Sequence, residues 1–398
     1  MQERPPRFRA TSTVRDRAAS KVEGLLASAL RGARRSDFTS RSFVPSLTRL
    51  LEACHEDANL SPLGAWALRF DVLRCLRNLL RFDELEARSP ALLDAPIPAP
   101  VFITGMPRSG TTFLHRLIAQ DPNTIAPRLM QLVHPDVSQR GCAVTTLREA
   151  VVRAQLALFR ALAPQLNALH PIGVDEPEEC TDIIAQVFHS PRFESTYRVP
   201  SYSAWIHAVG FLDAYRFHRR FLQHLQAHCP GRRWVLKSPD HVFALDAMRA
   251  VYPDARLIVV HRDPVRVLAS VAKLTQVMRN PFTRRTDPLE IGKEVTTSWI
   301  DGARRLTSLP SGDRSILHLH YRNIVSRPMD AIEAVYRHCG LALSDVAQYA
   351  MFRWLGSLHR ADRAPRRYDL PEFGLDPHSL RRQFRHYTDR FRVQIEHD

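Results

Sequence analysis

Val101-Phe-Ile-Thr-Gly-Met-Pro-Arg-Ser-Gly-Thr-Thr-Phe-Leu-His-Arg-Leu-Ile118 reads as a buried strand, a glycine-punctuated loop and the first turns of a helix. Gly105 and Gly110 keep the G-x4-G spacing of a Walker A phosphate loop, and Thr112 stands where that motif has Ser or Thr. Thr111, however, occupies the lysine position. Such a loop presents backbone N–H groups and a helix N-terminus to a phosphate, with Arg108, Ser109, Thr111 and Thr112 as further donors. Without the lysine it is ill suited to a β,γ-triphosphate. The pattern points to a nucleotide whose single 5′-phosphate carries a small leaving group.

Ser89-Pro90 and Pro96-Ile-Pro-Ala-Pro100 separate this unit from what precedes it. There, residues 12–32, 44–55 and 64–82 repeat apolar side chains every three or four positions, the period of amphipathic helices. Downstream, strands over 233–236, 256–260 and 315–319 alternate with helices over 241–251, 264–278 and 328–338. That alternation requires a parallel sheet with right-handed crossovers. Further helices are expected over 145–163, 178–190 and 211–228. The fold class is α/β: a P-loop-like three-layer fold with a central parallel sheet, a helical N-terminal cap and a C-terminal helical segment. The expected regions are 1–98 (helical), 99–340 (α/β core) and 341–398 (helical, packing on the core).

At 398 residues, 44% apolar and 24% charged, the chain can bury a full core as one large domain or two smaller ones. Its six cysteines form no C-x-x-C pair and have no histidine at ligand spacing, which argues against a disulfide scaffold or a zinc site and for a reducing compartment. Arg4, Arg7, Arg9, Arg15 and Arg17 leave no apolar run at the N-terminus, and no later stretch has the length and apolarity of a membrane span. A cytoplasmic protein without an integral membrane segment is expected; an organelle transit peptide is the weaker reading, because Glu3 and Asp16 are acidic. The net charge of +15 raises a nucleic-acid reading. Nine arginines between Arg360 and Arg392 are nevertheless interleaved with Asp362, Asp369, Glu372, Asp376 and Asp389, and no nucleic-acid module motif occurs. A solvated basic face that also draws in an anionic nucleotide is the better account, with an acidic acceptor such as a sulfated glycan or an anionic lipid headgroup as the lesser one.

The loop Gly105–Thr112 resembles the 5′-phosphosulfate loop of bacterial sulfotransferases that use 3′-phosphoadenosine-5′-phosphosulfate (PAPS). Further blocks agree in order: Asp175-Glu-Pro-Glu-Glu-Cys180, Trp234-Val-Leu-Lys-Ser-Pro-Asp-His241, Tyr252 to Pro264, and Tyr321 to Pro328 followed by Tyr368 to Gly374. The resemblance covers roughly residues 99–392. It implies PAPS as donor, a hydroxylated small molecule or glycan as acceptor, and no nucleic-acid partner. It gives Arg108, Ser109, Gly110, Thr111 and Thr112 to the 5′ end of the donor, Arg262 and Ser270 to its 3′-phosphate, and Tyr321 to the same nucleotide site. Lys237 takes the oxygen bridging sulfur and phosphorus. Read without the resemblance, Arg262-Asp263 is also a surface ion pair at a helix start, Asp263 a Walker B carboxylate, and Lys237 a strand-end lysine reaching solvent. No metal is expected, since a sulfuryl group carries less charge than a terminal phosphoryl group and cationic side chains can stabilise its transfer.

The general base is the open position. Gln131 stands where many members of the resembled family have a glutamate, and an amide cannot take the proton. His134, His115, Glu176 and Glu179 remain as candidates, with the Glu176/Glu179 cluster slightly ahead. The cluster equally reads as acidic residues complementing the start of helix 178–190. The alternatives to a sulfotransferase are a P-loop kinase-like phosphotransferase, disfavoured by Thr111, and a non-catalytic nucleotide- or nucleic-acid-binding protein, kept open by Gln131.

Overall fold

The computed structural model describes residues 12–135, 142–169, 172–227, 229, 231–358 and 369–396. Arg4, Arg7, Arg9 and the stretch from Arg360 to Tyr368 lie outside the described residues. Five strands, β1 (Val101–Gly105), β2 (Thr124–Ile125), β3 (Arg233–Lys237), β4 (Arg256–His261) and β5 (Ile316–His320), form one parallel sheet in the order β2-β3-β1-β4-β5. Register pairs Ile103 with Lys237, Gly105 with Val260 and His261 with His320.

The central strands are apolar on both faces because both are covered. Successive side chains alternate across a strand. Phe102, Trp234, Leu236, Leu257 and Val259 enter one apolar cluster, while Val101, Ile103, Val235, Ile258 and Val260 enter another. The first cluster is shared with three N-terminal helices, α1 (Ser12–Leu30), α2 (Val44–Glu56) and α3 (Pro62–Arg88). The second takes Leu114, Leu117 and Ile118 from α4 (Thr111–Ile118), and residues from helices Pro328–Cys339 and Asp345–Ser357. Three layers result, as expected. The helices Pro377–Gln383 and Arg385–Phe391 place Leu380, Phe384 and Tyr387 in the first cluster.

Two expected helices differ. The stretch 178–190 reduces to Thr181–Ile184 and a 3-10 turn Ala185–Val187, ended by Phe188 in the left-handed region (φ 57°). Ahead of helix Leu245–Val251, Pro239–Ala244 forms a 3-10 turn in which Ser238 Oγ accepts from the Asp240 amide at 3.1 Å. A long helix, Pro288–Thr307, was not marked by the sequence reading; Asp287 caps it, accepting from the Leu289 amide at 2.9 Å.

Candidate active site

Four neighbouring strands deliver the candidate residues to one edge of the sheet. β1 runs into the phosphate loop, β3 ends at Lys237, β4 stops just before Arg262 and β5 just before Tyr321. The chain moves from β1 to strands on one side, then crosses to β4 on the other. In open parallel sheets, ligands bind outside the carboxyl ends at such a reversal.

The loop geometry requires its glycines. Gly105 has φ +136°, and a Cβ there would lie 2.2 Å from the Val260 carbonyl oxygen. Gly110 has φ +87° and its open side faces the Tyr321 ring, 3.0 Å from where a Cβ would be. Arg108 holds φ +61°, a costly conformation for a residue with a side chain. Its carbonyl accepts from Arg262 Nη1 at 2.6 Å, while its own guanidinium donates to Ser270 Oγ at 3.1 Å and to the Leu169 carbonyl at 2.6 Å. Ser109 is fully buried and its hydroxyl donates to the Met106 carbonyl, so it closes the loop from within. Arg108, Gly110, Thr111 and Thr112 line a cavity of about 1910 Å³.

Arg262, Ser270 and Tyr321 meet this loop. The Arg262 guanidinium stacks 3.7 Å from the Tyr321 ring centroid and forks onto the Glu396 carboxylate at 2.8 and 2.9 Å. Asp263 accepts from the backbone N–H of Val265 at 3.0 Å and of Glu396 at 2.9 Å. Both oxygens therefore serve a helix cap and a chain segment, which accounts for this residue without a metal role.

Lys237 is buried, with 1% exposure, and its ammonium pairs with Glu179. The cavity wall beside it is made by Glu178, Glu179 and Asp240. Burial pushes the Glu178 carboxyl up to about 8 against the pull of the Lys237 charge. Burial, with the nearby Glu179 charge, likewise raises Asp240 to about 7, although Thr181 donates to it at 3.1 Å. The loop, with its Arg108, and Arg262 thus line the same cavity as the carboxyls of Glu178, Glu179 and Asp240, an arrangement chemically suited to an anion on one side and a proton acceptor on the other.

The remaining base candidates stand elsewhere. Glu176 has a side chain 45% exposed and pairs with Arg116 at 3.2 Å. The described residues lining the cavity include neither Glu176 nor His134; Lys237 is not among them either, but meets the wall through its ion pair with Glu179. Gln131 accepts from the Arg128 amide at 3.0 Å and so caps the short helix α5 (Leu129–Val133). His115 is buried against the Val235 carbonyl at 3.0 Å, and burial lowers its pKa to about 3, so it packs as a neutral ring. Glu178 and Asp240 are the acids that the sequence reading passed over. Pro177 bridges to Arg128; Glu178 beside it is buried, while the Glu176 side chain is 45% exposed. A regular strand would put Glu176 and Glu178 on one face, so no sequence period marked the difference between them.

Comparison with known proteins gives the family. Residues 100–345 match the model of the sulfotransferase family. Among curated proteins, the chain is 25% identical over 252 residues to the omega-hydroxy-beta-dihydromenaquinone-9 sulfotransferase Stf3 of Mycobacterium tuberculosis, a match covering 61% of this chain and 63% of that protein. It is also 25% identical over 279 residues to nodulation protein NoeE of Sinorhizobium fredii, covering 65% of this chain and 55% of NoeE. The chain thus spans less than two thirds of the length of the curated relatives it matches. Among solved structures, sulfotransferase STF1 from Mycobacterium tuberculosis superimposes with a TM-score of 0.78 at 29% identity, over 91% of this chain and 98% of that one. Sulfotransferase STF9 from Mycobacterium avium gives 0.81 at 26% identity, over 94% and 98%.

Proposed function

This chain belongs to the sulfotransferase family, and we propose that it moves the sulfuryl group of PAPS to an acceptor hydroxyl, or less favourably to an amine. Family membership implies a sulfate donor; the choice of PAPS rests on two anion positions side by side. One is the lysine-free loop Gly105–Thr112. The other is Arg262, whose fork already holds a carboxylate at 2.8 and 2.9 Å and stands one hydrogen bond from the loop. That second position is the observation carrying the proposal, because a nucleotide with only a 5′ anion has no use for it. Guanidinium forks match phosphate oxygens as they match carboxylates.

In this reading the donor supplies an activated sulfuryl group, and the protein positions, polarises and deprotonates. Loop amides with Thr111 and Thr112 hold the 5′-phosphate, and Arg262 with Ser270 holds the 3′-phosphate. Lys237 exchanges Glu179 for the bridging oxygen, where positive charge stabilises the transition state more than the ground state. Glu178 accepts the acceptor's proton. The cavity, about 1910 Å³, exceeds the roughly 300–1,000 Å³ of ordinary ligand pockets. Its walls include Phe70, Leu156, Phe159, Met278 and Phe282. One relative is named for a hydroxylated menaquinone derivative, and a hydroxyl on a bulky apolar body is the acceptor class we favour here.

Thermal shift with adenosine 3′,5′-bisphosphate, 5′-AMP, ADP and ATP tests the donor. A ligand at a hundred times its Kd stabilises the native state by about 2.7 kcal/mol. The bisphosphate is expected to raise Tm well above the other three. Equal shifts with ATP would favour the phosphotransferase alternative and remove the sulfotransfer proposal.

A further inference from the structure

One helix is apolar on two sides. In α6 (Cys142–Leu162), Val152, Leu156 and Phe159 line the cavity. Leu147, Val151, Leu158 and Leu162 point away from it and are 68%, 46%, 56% and 39% exposed. At 3.6 residues per turn these four fall within about 60° of one another, a continuous stripe. Large apolar side chains gathered in a stripe mark an interaction surface, whereas single exposed ones need no explanation. A second stripe lies on α3, where Trp66 and Phe70, 59% and 44% exposed, stack with centroids 5.5 Å apart. The stripes meet at the cavity: exposed Phe70 from α3 and exposed Gln155 from α6 both line it.

The charges beside these stripes choose the occupant. On α6, Arg148 borders the stripe, while Arg153 and Arg160 lie on the other side of the helix, Arg153 paired with Glu149 and Asp175 and Arg160 donating to the Ile172 carbonyl. On α3, exposed Arg69 stands between Trp66 and Phe70, and exposed Arg77 follows on the same face about two turns further on. The whole chain is +15. Exposed aromatics bordered by exposed arginines on α3, continued by the apolar stripe of α6 with Arg148 at its edge, form the pattern of a surface that lies in the interface of an anionic bilayer, apolar groups among the acyl chains and cations among the headgroups. No helix among the described residues is long and apolar enough to cross a membrane, so such binding would be peripheral.

We propose that α6 and the Trp66/Phe70 rim dock the protein on an anionic lipid surface, with the mouth of the cavity turned towards the bilayer. A hydroxylated amphiphile would then pass from the membrane along the inner face of α6 without crossing water. Docking is measured without turnover, so it stands or falls separately from the sulfuryl-transfer reading.

The experiment is flotation of the full chain with vesicles of phosphatidylcholine alone and of phosphatidylcholine with phosphatidylglycerol, at low and high salt. Expected is binding to the phosphatidylglycerol vesicles, weakened by salt, and reduced at least tenfold in the double variant Leu147→Glu/Leu158→Glu. That variant should keep its melting temperature and its response to adenosine 3′,5′-bisphosphate, since neither side chain lines the cavity. Absence of vesicle binding by the wild type overturns the proposal, as does equal binding by the double variant. A wild-type dimer in solution that the double variant dissociates would also overturn it and assign the stripe to a second copy of this chain.

Discussion

Glu178 shows how one residue's surroundings set its chemistry. Its carboxyl faces a cavity, lies close to Lys237, and is raised by burial from 4.5 to about 8. Two consequences follow in opposite directions along the pH axis. A proton acceptor must be ionised, so kcat is expected to climb with pH and level off above about 8. Stability goes the other way: between 4.5 and 8 the folded protein keeps a proton that the unfolded chain has released, so folding weakens as pH rises through that window. Glu178→Gln should cut kcat by about 10²-fold or more, remove the rising limb, and flatten the fall in Tm between pH 5 and pH 9. Near-normal turnover with an unchanged pH profile would move the base to Asp240, the other raised carboxyl on the wall. The sequence reading kept His134 and His115 beside the acidic run, with Glu176 and Glu179 slightly ahead, and did not single out Glu178. Glu178 and Glu179 reach the cavity and Glu176 does not, a difference of tertiary fold in this segment, which also bridges Arg128 through Pro177, that residue spacing does not display.

At the scale of elements, the unit from β1 to α4 carries most of what was readable in advance. Its strand is a short apolar run, its loop is punctuated by glycines, and its helix starts at the residue after Gly110. Each signal is local, which is why the sequence displayed it. Gly105→Ala tests how far the local rule holds. The added Cβ would sit 2.2 Å from the Val260 carbonyl of the paired strand, at φ +136°. Backbone strain alone costs about 1–3 kcal/mol, and relieving the clash means parting β1 from β4. A lower Tm and lost bisphosphate binding are both expected, whereas Gly24→Ala, with nothing within 4 Å, should leave binding intact. A fully stable, bisphosphate-binding Gly105→Ala would show that the loop does not need this turn. Of the elements that escaped the sequence reading, helix Pro288–Thr307 carries a local cap at Asp287 and was simply missed, whereas others are set by tertiary packing. β2 is two residues long and exists because Thr124 and Ile125 pair with Arg233 and Trp234. The segment 178–190 has helical periodicity but is folded so that Glu178, Glu179, Thr181 and Asp182 reach the cavity.

The whole molecule adds a constraint that no local pattern carries: the far end of the described chain returns to the proposed nucleotide site. Helix Arg385–Phe391 is anchored on β4, with Phe391 stacked 4.1 Å from the His261 ring and the Tyr387 hydroxyl 3.0 Å from His261 Nδ1. Segment 393–396 continues from it and lays Glu396 on Arg262, with the Glu396 amide held by Asp263. A carboxylate so placed competes with any phosphate that Arg262 would bind. Charge-assisted hydrogen bonds contribute roughly 1.5–3 kcal/mol, so removing the competitor should tighten binding by about tenfold, the equivalent of 1.4 kcal/mol. Glu396→Gln is therefore expected to lower the Kd of adenosine 3′,5′-bisphosphate by that factor while leaving 5′-AMP almost unchanged, both measured by calorimetry. Arg262→Ala should weaken the bisphosphate and abolish the effect of Glu396→Gln, because without the guanidinium there is nothing to contest. If Glu396→Gln instead weakens the bisphosphate, the carboxylate acts by holding Arg262 in place over Tyr321, and the 3′-phosphate must approach beside it instead of replacing it.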